Sequence, residues 1–376
     1  MEFSLSETQQ LLQETASRLL RDRYSFEQRK AVLARPEGFS RELWAELAGL
    51  GLLGIEIEER FGGSGGGFAA LAVVLQAFGR SLVVEPYLPT VILGAGLLAR
   101  AGSPAQQMAL LPKIGAGELT LALAQGEPDG RYALHHVATT ARRQGAEYRL
   151  DGRKAVVLGG DAADWLIVPA RTSGAVTDRA GISLFLVERG RPGVELRPYP
   201  MIDGRGAAEL ALDGVLVPAS ALLGAADAGL ALVEEAVDRG IAAVCCEALG
   251  AMAALNELTL EYLKTRVQFG RPIGRFQVLQ HRMVDMMMAQ EQARSMALLA
   301  ATSVGEADAA ARAKALSAAK VQIGRSAQIV GRGAIQLHGG IGLTMEYSAG
   351  HYFRRLTAIE AMFGDIDHHL ARFAAL

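Results

Sequence analysis

The hydrophobic period of this chain changes twice, an order that few folds accommodate. In SETQQLLQETASRLLRDRY, Leu11, Leu12, Ala16, Leu19 and Leu20 recur at helical spacing behind Ser6, a residue suited to cap a helix. The pattern repeats from Phe39 to Leu53, from Ala69 to Phe78 and from Thr90 to Leu111. From about Leu119 the period becomes two: LTLALAQ, HVATTARRQ, EYRLDGRKAVVL, DWLIVPA, ISLFLVE, GVELRPYP and AAELALDGVLVP are short, β-favouring runs separated by Gly, Asp and Pro. Such spacing predicts a small antiparallel barrel or sandwich. After Gly224 the helical period returns, and the stretch from Asp227 to Arg266 contains no proline, about 60 Å if it is one helix. Long helices with short connections pack as an antiparallel bundle.

A length of 376 residues exceeds what one hydrophobic core supports. The expected architecture is α+β and multidomain: an N-terminal helical domain over 1–117, a central antiparallel β-barrel or sandwich over 118–224, and a C-terminal four-helix bundle over 225–376.

The charge balance, 38 basic against 40 acidic residues, gives no ground for nucleic-acid or membrane-surface partners and leaves small-molecule chemistry or protein partners. Cys245 and Cys246 are adjacent in an apolar run, where neighbouring side chains diverge, so two core thiols and a reducing compartment are expected. MEFSLSETQQLLQET lacks a basic n-region and an apolar h-region, and no window of 18 residues is uninterruptedly apolar; a cytoplasmic protein is expected. FGGSGGGF lacks the lysine of a P-loop and predicts a flexible loop. Met283, Met286, Met287 and Met288 fit core or subunit packing better than a cofactor site.

Two motifs carry more chemistry. RVQFGRPIGRFQVLQHR begins at Arg266, between the first two bundle helices, and AIQLHGGIGLTMEYSAGHYFRR begins at Ala334. Arg266 offers a fork for a diphosphate, and Gly339 and Gly340 let a backbone approach closely. Gln277 and Gln336 can pair with ribose or adenine edges, and Phe269 can lie against an adenosine. Together, and with WAELAGLGLLGIEIEERFGGSGGG and EYRLDGRK, which reads as a turn, these runs resemble the signatures of the acyl-CoA dehydrogenase family over essentially the whole chain.

That resemblance implies FAD as cofactor, an acyl-CoA substrate, an electron-transfer acceptor, and Arg266, Phe269, Gln277, Gln336, Gly339 and Gly340 as FAD contacts. Family members desaturate the thioester between its α and β carbons, with a carboxylate removing the α proton. The family's base, in Tyr-Glu-Gly-Thr, falls here on Phe363. The alternative position on the first bundle helix falls on Gly240, leaving Asp365, Asp238 and Glu247 as weak replacement candidates. In the β segment Gly126 and Tyr132 stand where the family has hydroxyls toward the flavin ring, and Val156, Val157 and Leu158 replace Trp-Ile-Thr.

The loss is one-sided, which suggests one subunit of a heteromer: this chain would grip the adenosine half of FAD while a homologous partner supplies ring pocket and base. A dicarboxylyl thioester such as pimeloyl-CoA is an implied substrate. A homo-oligomeric enzyme with a relocated base and a non-catalytic structural subunit remain open. In GDIDHH, Asp365, His368 and His369 have metal-ligand spacing, but the stretch occupies the base-bearing loop, so capping or subunit contacts are expected and no metal.

Overall fold

The computed structural model describes residues 5–35 and 37–376. Helices come first, then a sheet, then helices, in the order expected. They are α1 (Glu7–Arg23), α2 (Phe26–Leu33), α3 (Arg41–Gly49), α4 (Phe68–Ser81), a π-helical segment (Leu88–Ala95), α5 (Gly96–Ala101) and α6 (Pro104–Gly115). Strands β1 (Leu121–Leu123), β2 (Thr140–Gln144), β3 (Glu147–Leu158), β4 (Trp165–Arg171), β5 (Ile182–Glu188), β6 (Val194–Pro200), β7 (Gly206–Pro218) and β8 (Leu222–Leu223) follow. The rest is α7 (Gly229–Thr265), α8 (Gln277–Ser303), α9 (Ala309–His338), α10 (Ser348–Ala361) and α11 (Ile366–Ala375). Two compact units result: residues up to Ala31 with Phe68–Val83 and Ile241–Leu376, and Val32–Gly67 with Val84–Gly240.

Local chemistry explains most boundaries. Ser6 accepts from the Gln9 amide at 3.3 Å while Gln9 reaches back to the Ser6 amide at 2.9 Å, a reciprocal cap that starts α1. The periodic run to Leu53 is helical only to Gly49: Gly51 takes φ +73, and Leu52 and Leu53 are buried from the turn that follows. The Thr90–Leu111 pattern is likewise not one helix, because Gly102 and Ser103 break it and Pro104 restarts it behind a Ser103–Gln106 capping box. The glycine-rich loop is fastened rather than loose: the amides of Ser64, Gly65 and Gly66 donate to the carbonyls of Gly54, Ile57 and Ile55.

The sheet runs in the order β6-β7-β3-β2-β4-β5-β8, with β1 joined to β4. It is mixed, not purely antiparallel, because β1 runs parallel to β4 and β2 meets β4 in parallel at Thr140 and Arg171. EYRLDGRK is not a turn but the first part of β3, with a register shift between Leu150 and Gly152 against β7. Its Lys154 is fully buried and ion-pairs with Glu127 at 2.7 Å; burial pushes that amine down to about 8. Leu150, Leu166, Val168, Phe185, Leu210 and Val215 belong to the core beneath. β6, which carries Pro198 and Pro200, lies at one edge, where missing N–H donors do no harm.

In the helical unit α4 and α7 meet backbone to backbone. A Cβ on Gly79 would lie 1.9 Å from the Glu247 carbonyl, and one on Gly250 1.9 Å from that of Gln76. Gly250→Ala is therefore expected to destabilise by about 2 kcal/mol or more, measured as a lower urea midpoint. Cys245 and Cys246 are free and buried. Met283 and Met286 are buried, whereas Met287 and Met288 are about half exposed. α7 is long and apolar enough to cross a membrane, yet 78% of its most apolar window is buried, as in a core helix.

Candidate active site

Aromatic rings join the end of α7, just ahead of the first signature segment, to the second. Near the end of α7, Tyr262 lies 4.6 Å from the ring of His338, the last residue of α9, and His338 lies 5.2 Å from Tyr347. His338 is buried; its Nδ1–H donates to the Ala334 carbonyl at 2.9 Å, and burial lowers its pKa, so the ring is neutral. Just past α7, Val267–Gln268 pairs antiparallel with Arg271–Pro272. Phe269 (φ +54) and Gly270 (φ +76) turn this hairpin in the left-handed region, the pattern of a type I′ turn. Phe269 is 87% exposed at the tip, with its ring edge-on to Phe276 at 5.9 Å.

Arg266, Arg271, Arg275 and Arg282 are all exposed, and among the described residues none pairs with a carboxylate. No side chain caps the N-terminus of α8. Just past α9, a Cβ at Gly339 or Gly340 would meet nothing within 4 Å. Unpaired guanidinium groups, an uncapped helix start and an open glycine backbone form a donor set that suits a diphosphate. Gln277 in the first turn of α8 and Gln336 in the last turn of α9 are exposed as well, so all six residues expected at the cofactor are solvent-facing in these two segments.

The loop at Phe363 is built differently. Phe363 adopts φ +59 and Gly364 φ +116. Lys320 of α9 donates to the carbonyls of Glu360 (2.9 Å) and Gly364 (2.8 Å). His369 of α11 donates from Nε2 to the Phe363 carbonyl at 3.1 Å, and its Nδ1 accepts from Ser317 Oγ at 3.2 Å. Asp365 caps α11 by accepting from the His368 amide at 2.8 Å. With both His369 nitrogens engaged and Asp365 capping, this cluster holds the turn; among the described residues no group of three His, Cys, Asp or Glu is arranged around a cation position. Burial, opposed by Cys245, Glu360 and Asp365, pushes Lys320 down to about 8; burial, then the charge of Lys320, pushes His369 down to about 3.

The other carboxylates sit elsewhere. Glu247 is buried and bound to Arg355 through two contacts, at 2.8 and 2.6 Å. Asp238 is buried at 2% exposure on α7, in the sheet-containing unit. In that unit Gly126 and Ala155 share a backbone hydrogen bond of 2.9 Å. Val156 is half exposed with φ +52, a costly conformation for a β-branched residue, while Val157 and Leu158 are buried. Arg131, beside Tyr132, is also left-handed at φ +45.

Sequence reasoning missed Lys320, Ser317, Tyr262 and His338. The signal for Lys320 was present: it falls in helical register with Leu316, Ile323 and Ala327, all buried, so a lysine occupies a core position.

Residues 6–118, 122–215 and 227–375 match the N-terminal, middle and C-terminal domains of acyl-CoA dehydrogenases. The chain is 33% identical over 321 residues to the acyl-CoA dehydrogenase FadE12 of Mycobacterium tuberculosis, covering 84% of this chain and 82% of that relative. It is similar to the ChsE4–ChsE5 complex of Mycobacterium tuberculosis (27% identity, TM-score 0.89, 100% and 98% covered). It is also similar to the FAD complex of PigA (26% identity, TM-score 0.90, 100% and 98% covered). With its three segments matched in order and its signature residues exposed in two adjoining segments, the chain belongs to the acyl-CoA dehydrogenase family.

Proposed function

We propose that this chain is one subunit of a cytoplasmic, FAD-dependent acyl-CoA dehydrogenase that acts with a homologous partner subunit. Its three working segments are 1–117, 118–224 and 225–376. FAD supplies the hydride acceptor for α,β-desaturation of the thioester, and its electrons leave to an electron-transfer acceptor. In this reading Arg266 clasps the FAD diphosphate, Gly339 and Gly340 bring backbone amides to it, and Phe269, Gln277 and Gln336 hold the adenosine. A dicarboxylyl thioester such as pimeloyl-CoA is the proposed substrate, in keeping with a resemblance to the small subunit of pimeloyl-CoA dehydrogenase.

One observation carries the subunit role: the donor set suited to a diphosphate is exposed and unpaired, whereas the position that should carry the base is Phe363, which cannot take a proton. Relocation of the base to Glu247 or Asp365 is disfavoured by the engagement of Glu247 with Arg355 and of Asp365 as a helix cap. Arg266→Ala in the purified complex is expected to weaken FAD binding about ten- to hundredfold, read by flavin fluorescence titration. Unchanged affinity supports a purely structural subunit instead. Purified alone, the chain is expected to be colourless or inactive; a yellow, active protein overturns the heteromer reading.

A further inference from the structure

The segment that follows α9 is exposed along most of its length: Gly339, Gly340, Ile341, Leu343, Thr344 and Met345 face solvent, and only Gly342 is buried. What it offers a ligand is backbone amides, whose direction depends on what holds the backbone. At its start His338 is buried and tied to the Ala334 carbonyl. In the middle α10 touches the backbone directly, since a Cβ on Gly350 would lie 2.8 Å from the Gly342 carbonyl. At its far end stands His351 of α10, 5% exposed, with Nε2 at 3.0 Å from the Met345 carbonyl and Nδ1 at 3.0 Å from a guanidinium nitrogen of Arg29 in α2.

Those contacts fix the tautomer. A guanidinium only donates, so Nδ1 accepts, and the one ring proton of a neutral imidazole is then on Nε2, donating to Met345. Arg29 is itself 2% exposed and donates from Nε to the carbonyl of Leu82, just past α4, at 2.9 Å. Phe26 stands edge-on to the imidazole at 4.9 Å. Burying a guanidinium is costly, and a contact between helices needs none. Here it makes one relay from α2 and the end of α4, through His351, to the exposed segment.

We propose that Arg29 and His351 are positioning residues for the FAD diphosphate: the guanidinium orients the imidazole, and the imidazole holds the Gly339–Met345 segment so that its amides are aligned before the cofactor arrives. This rests on the reading that Gly339 and Gly340 bring amides to the diphosphate. Alignment in advance raises affinity because less order has to be imposed on binding. Helix α2 thereby serves cofactor retention, although the donor set itself lies on other elements.

The test uses the purified complex stripped of FAD and titrated with FAD, read by flavin fluorescence, with a urea midpoint recorded for each variant. His351→Leu keeps apolar bulk but neither hydrogen bond, and is expected to weaken FAD binding about three- to tenfold, the worth of one hydrogen bond. His351→Gln offers an acceptor to Arg29 and a donor to Met345 from one amide, and is expected to stay within about twofold of the unsubstituted complex. Arg29→Lys keeps the charge but loses the fork that spans Leu82 and His351; it is the milder variant, expected to weaken binding about threefold, and decides the matter if His351→Leu folds poorly. Unchanged FAD affinity in folded His351→Leu and Arg29→Lys, with lowered urea midpoints, shows a merely structural contact and overturns the proposal. Equal losses in His351→Leu and His351→Gln overturn it too, because the relay needs an acceptor and a donor at that position. Arg266→Ala separates this proposal from the reading beneath it. If that variant weakens FAD binding and His351→Leu does not, only the relay falls; if Arg266→Ala leaves FAD binding unchanged, the grip of this chain on FAD fails and the relay with it.

Discussion

Arg355→Met is expected to destabilise the protein by about 3 to 5 kcal/mol, the cost typical of leaving a buried charge uncompensated. Both partners are nearly inaccessible, Arg355 at 1% and Glu247 at 3%, and the pair is two-pronged, with Nε to Oε1 at 2.8 Å and Nη2 to Oε2 at 2.6 Å. Removing the guanidinium leaves a buried carboxylate without its two-pronged partner. The measurement is a urea unfolding curve, with the midpoint falling and the slope unchanged. Replacing Glu247 with leucine in the same protein is expected to restore most of the loss, because the uncompensated charge disappears with it. A single variant that unfolds like the unsubstituted protein would mean that Glu247 does not need Arg355, and would return Glu247 to the set of possible bases.

That pair also marks the limit of what could be read from the sequence. Glu247 and Arg355 are 108 positions apart, and nothing in the local pattern of either names the other. Periodicity reports which face of an element is buried, not what meets it. Hence α7, the Ser6 cap and the strands β1 to β7 were legible, whereas the parallel pairing of β1 and β2 with β4 was not: alternation is the same whichever way a neighbouring strand runs. The cofactor segments were legible for a different reason. Arg266, Gly339 and Gly340 belong to contiguous runs whose chemistry is local, and the structure adds only that they are exposed. The loop at Phe363 falls between these cases. Its missing carboxylate is visible by counting from Gly339, but the turn is held by Lys320 from the middle of an alanine-rich helix and by His369 from beyond the turn. His369, which looks like a metal ligand in one dimension, donates to a backbone carbonyl and accepts from a serine in three.

The same loop makes the protein acid-sensitive in a definable window. His369 is held well below its ordinary value, near 3, first because it is buried and then because Lys320, His368 and Arg372 face it with positive charge. In the unfolded chain it titrates near 6.5, so between about 6.5 and 3 the unfolded state binds a proton that the folded state refuses. Stability from this group is complete above pH 6.5 and is lost as pH falls through that window, at about 1.4 kcal/mol per pH unit, or about 5 kcal/mol in all. His338, His351 and His368 are lowered by burial in the same direction and steepen the loss in the upper part of the window. Chemical denaturation at pH 7, 6, 5 and 4 is expected to show stability falling with each step. In His369→Gln, whose side chain does not titrate, the dependence should be shallower by about one proton near pH 5, even if the variant is less stable at pH 7. An identical slope in the two proteins would show that His369 protonates freely in the folded state, and so that the turn at Phe363 does not depend on a neutral imidazole.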